Sequence, residues 1–173
     1  MNCIGLTGVT LPSSGLTTIG RSAFENCSGL TAVSLPRGLI RIGEKAFRYS
    51  GIKQASLPDT ATTLGASAFE GSPMTSLKLS KALEEIPDGC FRNCASLKGS
   101  IAIPEGVTGV GKEAFAGCPL LQAVTCPGTL EQIGERIFGK TAPGKLSVTC
   151  RKDSPMDLYL QQYYPAVKIN YRR

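Results

Sequence analysis

The chain contains no histidine and no tryptophan, and aromatic residues make up only 6% of its 173 residues. Without histidine, catalytic triads with an imidazole base, histidine metal sites and imidazole acid–base catalysis are excluded. Tyrosine, lysine, cysteine and carboxylate chemistry remains formally possible, but no pair of such residues stands apart from the pattern of the sequence. The sequence therefore predicts a protein that is not an enzyme and that holds no cofactor and no metal ion.

Long apolar runs are also missing from the chain. No run approaches the ~18–20 residues of a membrane-spanning helix, so we expect no direct membrane insertion of this segment. Residues 1–20 lack the basic start and the compact apolar region of a signal peptide. Residues 2–12 align position for position with the second half of the repeat at 26–36. We therefore expect the natural chain to be longer, and the absent leader then says nothing about the compartment.

Charge of one sign is scarce along most of the chain, although the net charge is +6. Residues 1–139 contain 12 Lys/Arg against 11 Asp/Glu, whereas residues 140–173 contain 7 against 2. A basic end can hold phosphates or anionic lipid, but a solvated terminal face has the same composition. Because the rest of the chain is nearly neutral, we expect no nucleic-acid partner.

The sequence consists largely of one repeat. Six phenylalanines recur at intervals of 22–24 residues, a period typical of proteins whose repeats stack into a solenoid. The residue five places before each phenylalanine is apolar, and glycine follows that residue in five copies and proline in the sixth. The phenylalanines are Phe24, Phe47, Phe69, Phe91, Phe115 and Phe138, and the following residues are Gly20, Gly43, Gly65, Pro87, Gly111 and Gly134.

The other half of each repeat is a short alternating run that ends in proline or a polar residue, as short β-strands do. The seven runs are 9–12, 33–36, 55–58, 77–80, 101–104, 124–127 and 148–151. Successive side chains of a strand alternate between its faces, so one face of each run should line the interior. The residues predicted to converge in the core of one coil are Leu30, Val33, Leu35, Leu39, Ile42, Ala46 and Phe47.

The seven cysteines form no Cys-x-x-Cys pair, which argues against a zinc site. Cys3, Cys27, Cys94 and Cys118 share one repeat position, Cys126 and Cys150 share a second, and Cys90 stands at a third. Each position calls for a small apolar side chain, so we expect buried, reduced thiols. Cysteines one repeat apart could lie ~5 Å from each other, but side chains stacked in register on parallel strands point alike, which suits a disulfide poorly.

The consensus L-x-x-I-G-x-x-A-F-x-x-C-x-x-L-x-x-V-x-L-P resembles the BspA-type leucine-rich repeats over about residues 2–152. Proteins of that family occur on the surface of anaerobic host-associated bacteria and of some parasitic protists. The resemblance implies a right-handed α/β leucine-rich-repeat solenoid. Short parallel strands would line its concave face, and short helical turns or irregular coil its convex face. It also implies a cell-surface or secreted protein that acts in adhesion, and it implies no catalytic activity.

One departure from the more familiar leucine-rich pattern concerns the residue that holds the turn after the strand. Where that pattern has asparagine, this chain has Ser14, Gly38, Thr60, Ala82, Gly106 and Thr129. We therefore expect other hydrogen bonds, mainly from the backbone, to hold this turn.

Residues 153–173 leave the repeat pattern and are predicted to form a C-terminal cap on the repeats of residues 1–152. Ser154, Pro155 and Asp157 are typical of a helix start, and Pro165 should stop the helix. Residues 167–170 alternate like a final edge strand. Four tyrosines lie in this segment, and we expect them to pack the cap, with a binding platform as the alternative.

The strand positions that face out of the coil are the best candidates for a binding surface. The candidate residues are Gln54, Ser56, Ser76, Lys78, Ser100, Thr125, Ser147 and Thr149. Their columns contain no aromatic residue, although tight protein interfaces favour Trp, Tyr or Arg. The face therefore indicates weak or shape-based recognition, or a plain solvated sheet.

Two hypotheses for the function follow. The first is a binding module that contacts a host or bacterial protein or a matrix component. The second is a structural spacer that presents another domain of a longer surface protein. The uniform small residues of the strand face do not separate the two hypotheses, and the sequence names neither the ligand nor the oligomeric state.

Overall fold

Short strands of successive repeats pair side by side and wind the chain into a β-solenoid of about six turns. The computed structural model describes residues 3–139 and 145–172. All strand pairs within these ranges are parallel. The strands are β1 (Thr18–Ile19), β2 (Arg41–Ile42), β3 (Gln54–Ser56), β4 (Thr63–Leu64), β5 (Ser76–Lys78), β6 (Glu85–Ile86), β7 (Gly99–Ala102), β8 (Gly109–Val110), β9 (Leu121–Thr125), β10 (Gln132–Ile133), β11 (Ser147–Cys150) and β12 (Lys168–Tyr171), and the helix is α1 (Pro155–Tyr163).

Five of the seven predicted strands form two sheets. One sheet pairs β3 with β5, and the other has the order β12-β11-β9-β7. The register places equivalent residues of neighbouring repeats side by side, for example Val124 beside Val148. Both of these valines are fully buried, while the residues that flank each of them in sequence are half-buried or exposed. The prediction of short parallel strands is therefore confirmed for these five runs.

The first two predicted strands, at 9–12 and 33–36, are not strands in the structure. Val33 and Leu35 were expected in the core but are only half-buried, whereas Ala55 and Leu57 at the same positions one repeat later are buried. Weaker burial leaves less apolar packing to hold these two short runs in ladder geometry. The prediction was wrong at this end of the solenoid.

A second pair of ladders forms where the sequence indicated only a bend. The two-residue strands before the repeat glycine pair in the orders β1-β2-β4 and β10-β8-β6. The glycines after β2, β4, β8 and β10 then donate their N–H groups to the previous coil, as Gly65 does to the carbonyl of Ile42 at 2.8 Å. A Cβ atom at Gly65 would lie 2.2 Å from the backbone nitrogen of Glu44. Glycine is therefore required here for the close approach of two backbones.

The one repeat without this glycine is the point at which the ladder stops. Pro87 replaces it, and β4 and β6 on either side of this junction belong to different sheets. Proline has no N–H to donate to the carbonyl of Leu64, so this bond of the ladder cannot form. The turns nevertheless remain bonded across the junction, since Phe69 donates its N–H to the carbonyl of Cys90 at 2.9 Å.

The Ala-Phe half of the repeat folds into consecutive turns, and α1 is the only helix among the described residues. Alternate residues bond to the next coil: the N–H groups of Ser22, Phe24 and Asn26 each donate to carbonyls of residues 44–48 at 2.8 Å. Ser22 and Asn26 have φ values of 51° and 58°, in the left-handed region. In a continuous α-helix these N–H groups would donate to carbonyls four residues earlier in the same coil, and left-handed φ values would be unfavourable. The sequence left two forms open for this half of the repeat, short helical turns or irregular coil. In these coils it forms hydrogen-bonded turns that are not helical.

The core is a stack of phenylalanine rings, one from each repeat. The ring centroids of successive phenylalanines lie 5.2, 5.2, 5.8, 5.4 and 6.4 Å apart from Phe24 to Phe138. Five of the six rings are fully buried, and Phe24 is partly buried. Around them lie the other predicted core residues, which are buried as expected: Leu30, Leu39, Ile42 and Ala46.

Backbone hydrogen bonds hold the turn after the strand, as expected, with help from two hydroxyl groups. Leu39 and Ala61, for example, donate their N–H groups to the carbonyls of Pro36 and Pro58 at 3.0 and 2.9 Å. In addition, the hydroxyl of Thr60 lies 2.6 and 2.8 Å from the carbonyls of Arg37 and Leu39 in the previous coil. Thr129 occupies the same repeat position and bonds in the same way to its preceding coil. Threonine thus supplies a side-chain bond between coils that the sequence alone did not predict.

The C-terminal segment contains the expected helix and strand. Ser154 is the N-cap of α1 and accepts the N–H of Asp157 at 3.3 Å, with Pro155 in the first helical position. The helix ends at Tyr163, before Pro165, and β12 then pairs with β11 along four residues. This segment therefore continues the sheet, and its role as a cap stays a prediction.

The Asp157 carboxylate joins α1 to both of its flanking segments. It accepts hydrogen bonds from the backbone N–H of Asp153 at 2.8 Å, the amide of Gln161 at 2.9 Å and the hydroxyl of Tyr171 at 3.1 Å. Burial alone raises the pKa of a carboxyl group, but these donors outweigh it and hold the pKa of Asp157 below its ordinary value.

Replacing Asp157 by Asn is expected to lower the free energy of unfolding by about 2 kcal/mol near neutral pH, since three donors lose a charged acceptor. The folded pKa lies below that of the unfolded chain, which is about 4. The carboxylate therefore stabilises the fold above about pH 4, and this contribution is lost as the pH falls through the folded pKa. Urea titrations at about pH 6 and pH 3 measure the free energy of unfolding. Between these two pH values it should fall more for the wild type than for Asp157→Asn. Equal falls would contradict this assignment.

Candidate binding face

The eight candidate residues lie on the outward side of β3, β5, β7, β9 and β11, which we call the strand face. The strand register aligns them in two columns, with Gln54 beside Ser76 and Ser56 beside Lys78. Residues up to Thr125 are exposed, whereas Ser147 and Thr149 are half-buried. The last two are more covered because β12 pairs with β11 on that side.

The strand face is divided between β5 and β7, which belong to different sheets. The repeat at this junction is 24 residues long and carries Gly99 with a φ of 78° just before the outward-facing Ser100. Gly99 pairs with Leu121 and Ser100 with Ala123, so that β9 has one more residue than β7 at this point. The structure therefore groups Gln54, Ser56, Ser76 and Lys78 on one sheet and the other four candidates on the second.

An open groove of about 810 Å³ covers the first of these sheets. Its floor is formed by β3, β5 and the segment 31–35, and all four candidate residues of this sheet line it. We call it the strand-face groove. Its two other charged lining residues, Arg37 and Lys53, were not predicted from the sequence, because they flank the alternating runs and lie outside the two columns.

Charges are paired on the turn side of the solenoid. Arg92 bonds to the Glu70 carboxylate with two of its nitrogens, at 3.0 and 2.7 Å, and to Glu113 at 3.0 Å. Glu113 also bonds to Arg136 of the next coil. The hydrogen bonds to Glu70 and Glu113 raise the pKa of Arg92, and the bond from Arg92 lowers the pKa of Glu113. The turn side therefore neutralises its own cations coil by coil.

The cations of the strand-face groove have no such partners. Arg37, Lys53 and Lys78 are exposed, and none of them makes an ion pair within residues 3–139 and 145–172. No carboxylate of these ranges lines the groove. The groove is thus a positively charged depression with hydroxyl and amide groups on its floor, from Ser56, Ser76 and Gln54.

Six of the seven cysteines are buried free thiols, as predicted, but the prediction was wrong for Cys3. Cys3 is exposed because no described coil packs over its side chain. The buried thiols are more than small apolar groups: those of Cys94 and Cys118 donate to the carbonyls of Phe69 and Phe91 at 3.2 Å. Ser72 fills the same repeat position and makes the same bond to Phe47 at 2.8 Å. A donor recurring as Ser or Cys at this position was the signal in the sequence.

Burial also keeps these thiols protonated. It raises the pKa of Cys118 and of Cys126 to about 12. Because the thiolate is the reactive form of cysteine, both side chains are poor nucleophiles and poor metal ligands at neutral pH.

The native protein is expected to react rapidly with one equivalent of a thiol reagent such as 5,5′-dithiobis(2-nitrobenzoate), at Cys3. The other six thiols should react only after unfolding in guanidinium chloride, since water and reagent do not reach them in the fold. The absorbance of the released thionitrobenzoate measures both stages. Cys3→Ser is the matched control and should remove the rapid stage alone. Fewer than seven thiols after unfolding would show a disulfide and contradict the structure.

The C-terminal tyrosines mainly make packing contacts. The hydroxyl of Tyr159 accepts the N–H of Ile137 at 3.2 Å, and the ring of Tyr164 packs edge-on against Phe138. Tyr163 is 60% exposed and lies beside the Tyr159 ring at a centroid distance of 5.1 Å. The rings of Tyr159 and Tyr164 therefore pack against the core, whereas the ring of Tyr163 is largely exposed.

Neither a metal centre nor a membrane span is found among the described residues. No group of three or more cysteines or carboxylates is placed to bind a metal ion together within residues 3–139 and 145–172. The single helix in these ranges has nine residues, too few to cross a bilayer.

Parallel coils of 22–24 residues, joined by ladders and by a phenylalanine stack, define a solenoid repeat protein. The sequence agrees with the profile of the BspA type leucine rich repeat region, in six copies, over residues 1–98 and 96–149. The chain therefore belongs to this family, which confirms the resemblance seen in the consensus.

Solved structures agree on the fold. A leucine-rich repeat protein from Bacteroides ovatus superposes with a TM-score of 0.75 at 23% identity, over 98% of this chain and 46% of that chain. The T. pallidum leucine-rich repeat protein superposes with a TM-score of 0.57 at 26% identity, over 83% of this chain and 58% of that chain. This chain thus spans about half the length of these structures. No curated protein sequence matches it significantly.

Proposed function

We propose that this chain is the ligand-binding repeat region of a non-enzymatic surface or secreted protein, and that it binds a host or matrix protein through the strand face. In this proposal the strands form the concave side of a right-handed superhelix, and residues 153–173 cap its end. Membership of the BspA-type family supports the surface location and the adhesive role. The observation that carries the choice of face is the strand-face groove.

The contrast between the two sides of the solenoid supports this choice. On the turn side, Arg92 and Arg136 pair with Glu70 and Glu113, and backbone groups are bonded from coil to coil. On the strand face, exposed donors and acceptors such as Gln54 and Lys78 have no side-chain partner within the described residues. Polar groups without internal partners can bond to a second molecule without breaking existing bonds.

The test is binding of the purified chain to a panel of immobilised extracellular-matrix proteins, measured by biolayer interferometry. Ser76→Trp places a large side chain on the floor of the groove. For any matrix protein that binds the wild type, this variant should lower the affinity at least about tenfold. Glu135→Trp is the matched control, because it adds the same side chain at a site on the turn side where the carboxylate is 80% exposed. This control should bind as the wild type does.

Equal loss of binding in the two variants would place the contact elsewhere and overturn the choice of face. Absence of binding to every protein of the panel would favour the second function, a spacer that presents another domain. The regular small side chains of the strand face suit that function as well, so the measurement decides between the two.

A further inference from the structure

Cations in the turns around the phenylalanines are paired with carboxylates, whereas the cations of the strand-face groove are not. Arg41, Lys81 and Lys98, elsewhere in the repeats, also make no ion pair within the described residues. Cations on the turn side have carboxylate partners: Arg21 with Glu44 at 3.3 Å, Arg48 with Glu25 at 3.2 Å, and Arg92 with Glu70 at 2.7 Å. The three cations that line the strand-face groove have none within the described residues. Composition alone would not show this, since residues 1–139 are nearly neutral.

From this separation we propose that the strand-face groove binds an extended acidic segment of a partner protein. The inference rests on the proposed function and names the chemistry of the partner. Arg37, Lys53 and Lys78 come from three successive coils and surround a floor of small polar side chains. Coils one strand spacing apart place neighbouring positions ~4.8 Å apart. An extended chain with several carboxylates can therefore contact more than one of these cations at once.

The floor of the groove suits a polypeptide. The outward-facing residues of β3 and β5 are short or flexible, so a chain can lie close to the sheet. The amide of Gln54 and the hydroxyls of Ser56 and Ser76 can donate to and accept from a peptide backbone. Three cations within about 810 Å³ form a sparse pattern, and they match a segment with a few carboxylates better than a densely sulfated polysaccharide.

Electrostatic complementarity of this kind predicts a strong dependence on salt. Exposed charges are screened within about 8–10 Å at physiological ionic strength. Binding of an acidic segment should therefore weaken several-fold between about 50 and 200 mM NaCl, whereas an apolar contact would change little.

The experiment uses a fluorescein-labelled (Ser-Glu)5 peptide and measures its fluorescence anisotropy against the full chain, with (Ser-Gln)5 as the neutral control peptide. The groove variant Lys53→Glu/Lys78→Glu should weaken binding of (Ser-Glu)5 at least about tenfold. The matched variant Arg21→Glu/Lys112→Glu changes the net charge equally, on the turn side, and should stay within about twofold of the wild type. Circular dichroism spectra and urea titrations establish that both variants fold.

Several results would overturn the inference. Equal loss in the two double variants would show an effect of net charge, and equal binding of the two peptides would show that the carboxylates are not recognised. Binding of a heparin oligosaccharide that depends on the groove, with no binding of the acidic peptide, would replace the acidic protein with a sulfated polysaccharide.

The matrix-protein panel separates this inference from the proposed function. Binding of a matrix protein that is lost in Ser76→Trp but kept in Lys53→Glu/Lys78→Glu would overturn the acidic segment and leave the binding face standing. Loss of matrix binding in both variants, together with binding of (Ser-Glu)5 at the groove, would support both.

Discussion

Replacing Phe91 by Ala is expected to lower the free energy of unfolding by about 3–5 kcal/mol, the cost of removing a large ring from a packed core. The Phe91 ring is fully buried and lies between Phe69 and Phe115, at centroid distances of 5.8 and 5.4 Å. Its removal takes away two ring contacts and leaves a cavity that neighbouring coils, joined by backbone bonds, cannot close. Urea titration followed by circular dichroism measures the loss.

Phe24→Ala is the control for this prediction. Phe24 carries out the same role in its repeat but is partly buried and has one ring neighbour, Phe47 at 5.2 Å. Its replacement should cost no more than about 2 kcal/mol, because the Phe24 ring buries less apolar surface than the Phe91 ring. Equal losses at the two positions would mean that the stack does not stabilise the solenoid in the way described.

Gly65→Ala is expected to cost about 3 kcal/mol or more, although it adds only one methyl group. The new Cβ atom would lie 2.2 Å from the nitrogen of Glu44 and 2.5 Å from the carbonyl carbon of Gly43. Both atoms belong to the backbone of the previous coil, which cannot rotate away as a side chain can, so the coils must separate. The bond from Gly65 to the carbonyl of Ile42 would then weaken.

Gly20→Ala tests the same repeat position without the clash. No atom lies within 4 Å of a Cβ at Gly20. The free energy of unfolding of this variant should therefore differ from that of the wild type by no more than about 0.5 kcal/mol. Thermal unfolding of the two variants, followed at 218 nm, compares them directly. If Gly20→Ala lost as much stability as Gly65→Ala, the glycine would be required for its backbone conformation and not for the close approach of two coils.

The period and much of the core were predictable from the sequence because one residue type marks each coil. The spacing of the phenylalanines predicted the period of the coils, and the alternating runs predicted five of the seven strands. Repetition makes these features readable, since each copy repeats the same packing requirement. The first two runs were predicted wrongly because alternation reports which side chains can be buried, and Val33 and Leu35 are buried only in part.

Features that depend on neighbouring coils were not predictable in the same way. The ladders before the repeat glycines are held by bonds between residues some 23 positions apart, and two-residue strands carry no pattern of their own. The interruption of the ladder at Pro87 is the exception, because a proline in the sequence by itself indicates a missing N–H donor. Cys3 shares its repeat position with Cys27, and only the stacking of coils distinguishes an exposed thiol from a buried one.

The candidate site was half predictable. The outward columns of Gln54, Ser56, Ser76 and Lys78 follow from alternation along a strand, and the structure brings these residues into one groove. Arg37 and Lys53 were missed because they flank the alternating runs, where alternation assigns no face. That their charges are unpaired follows from the position of every neighbouring carboxylate, which a single sequence does not give.

Hydrogen–deuterium exchange of the free chain and of its complex with a matrix protein from the binding panel tests the central claim, that the strand face is the binding surface. The account predicts slower exchange on binding in the peptides that contain β3 and β5, and unchanged exchange in the turns around Phe47 and Phe69. Protection confined to the turns would contradict the account, and so would the absence of a complex with every protein of the panel.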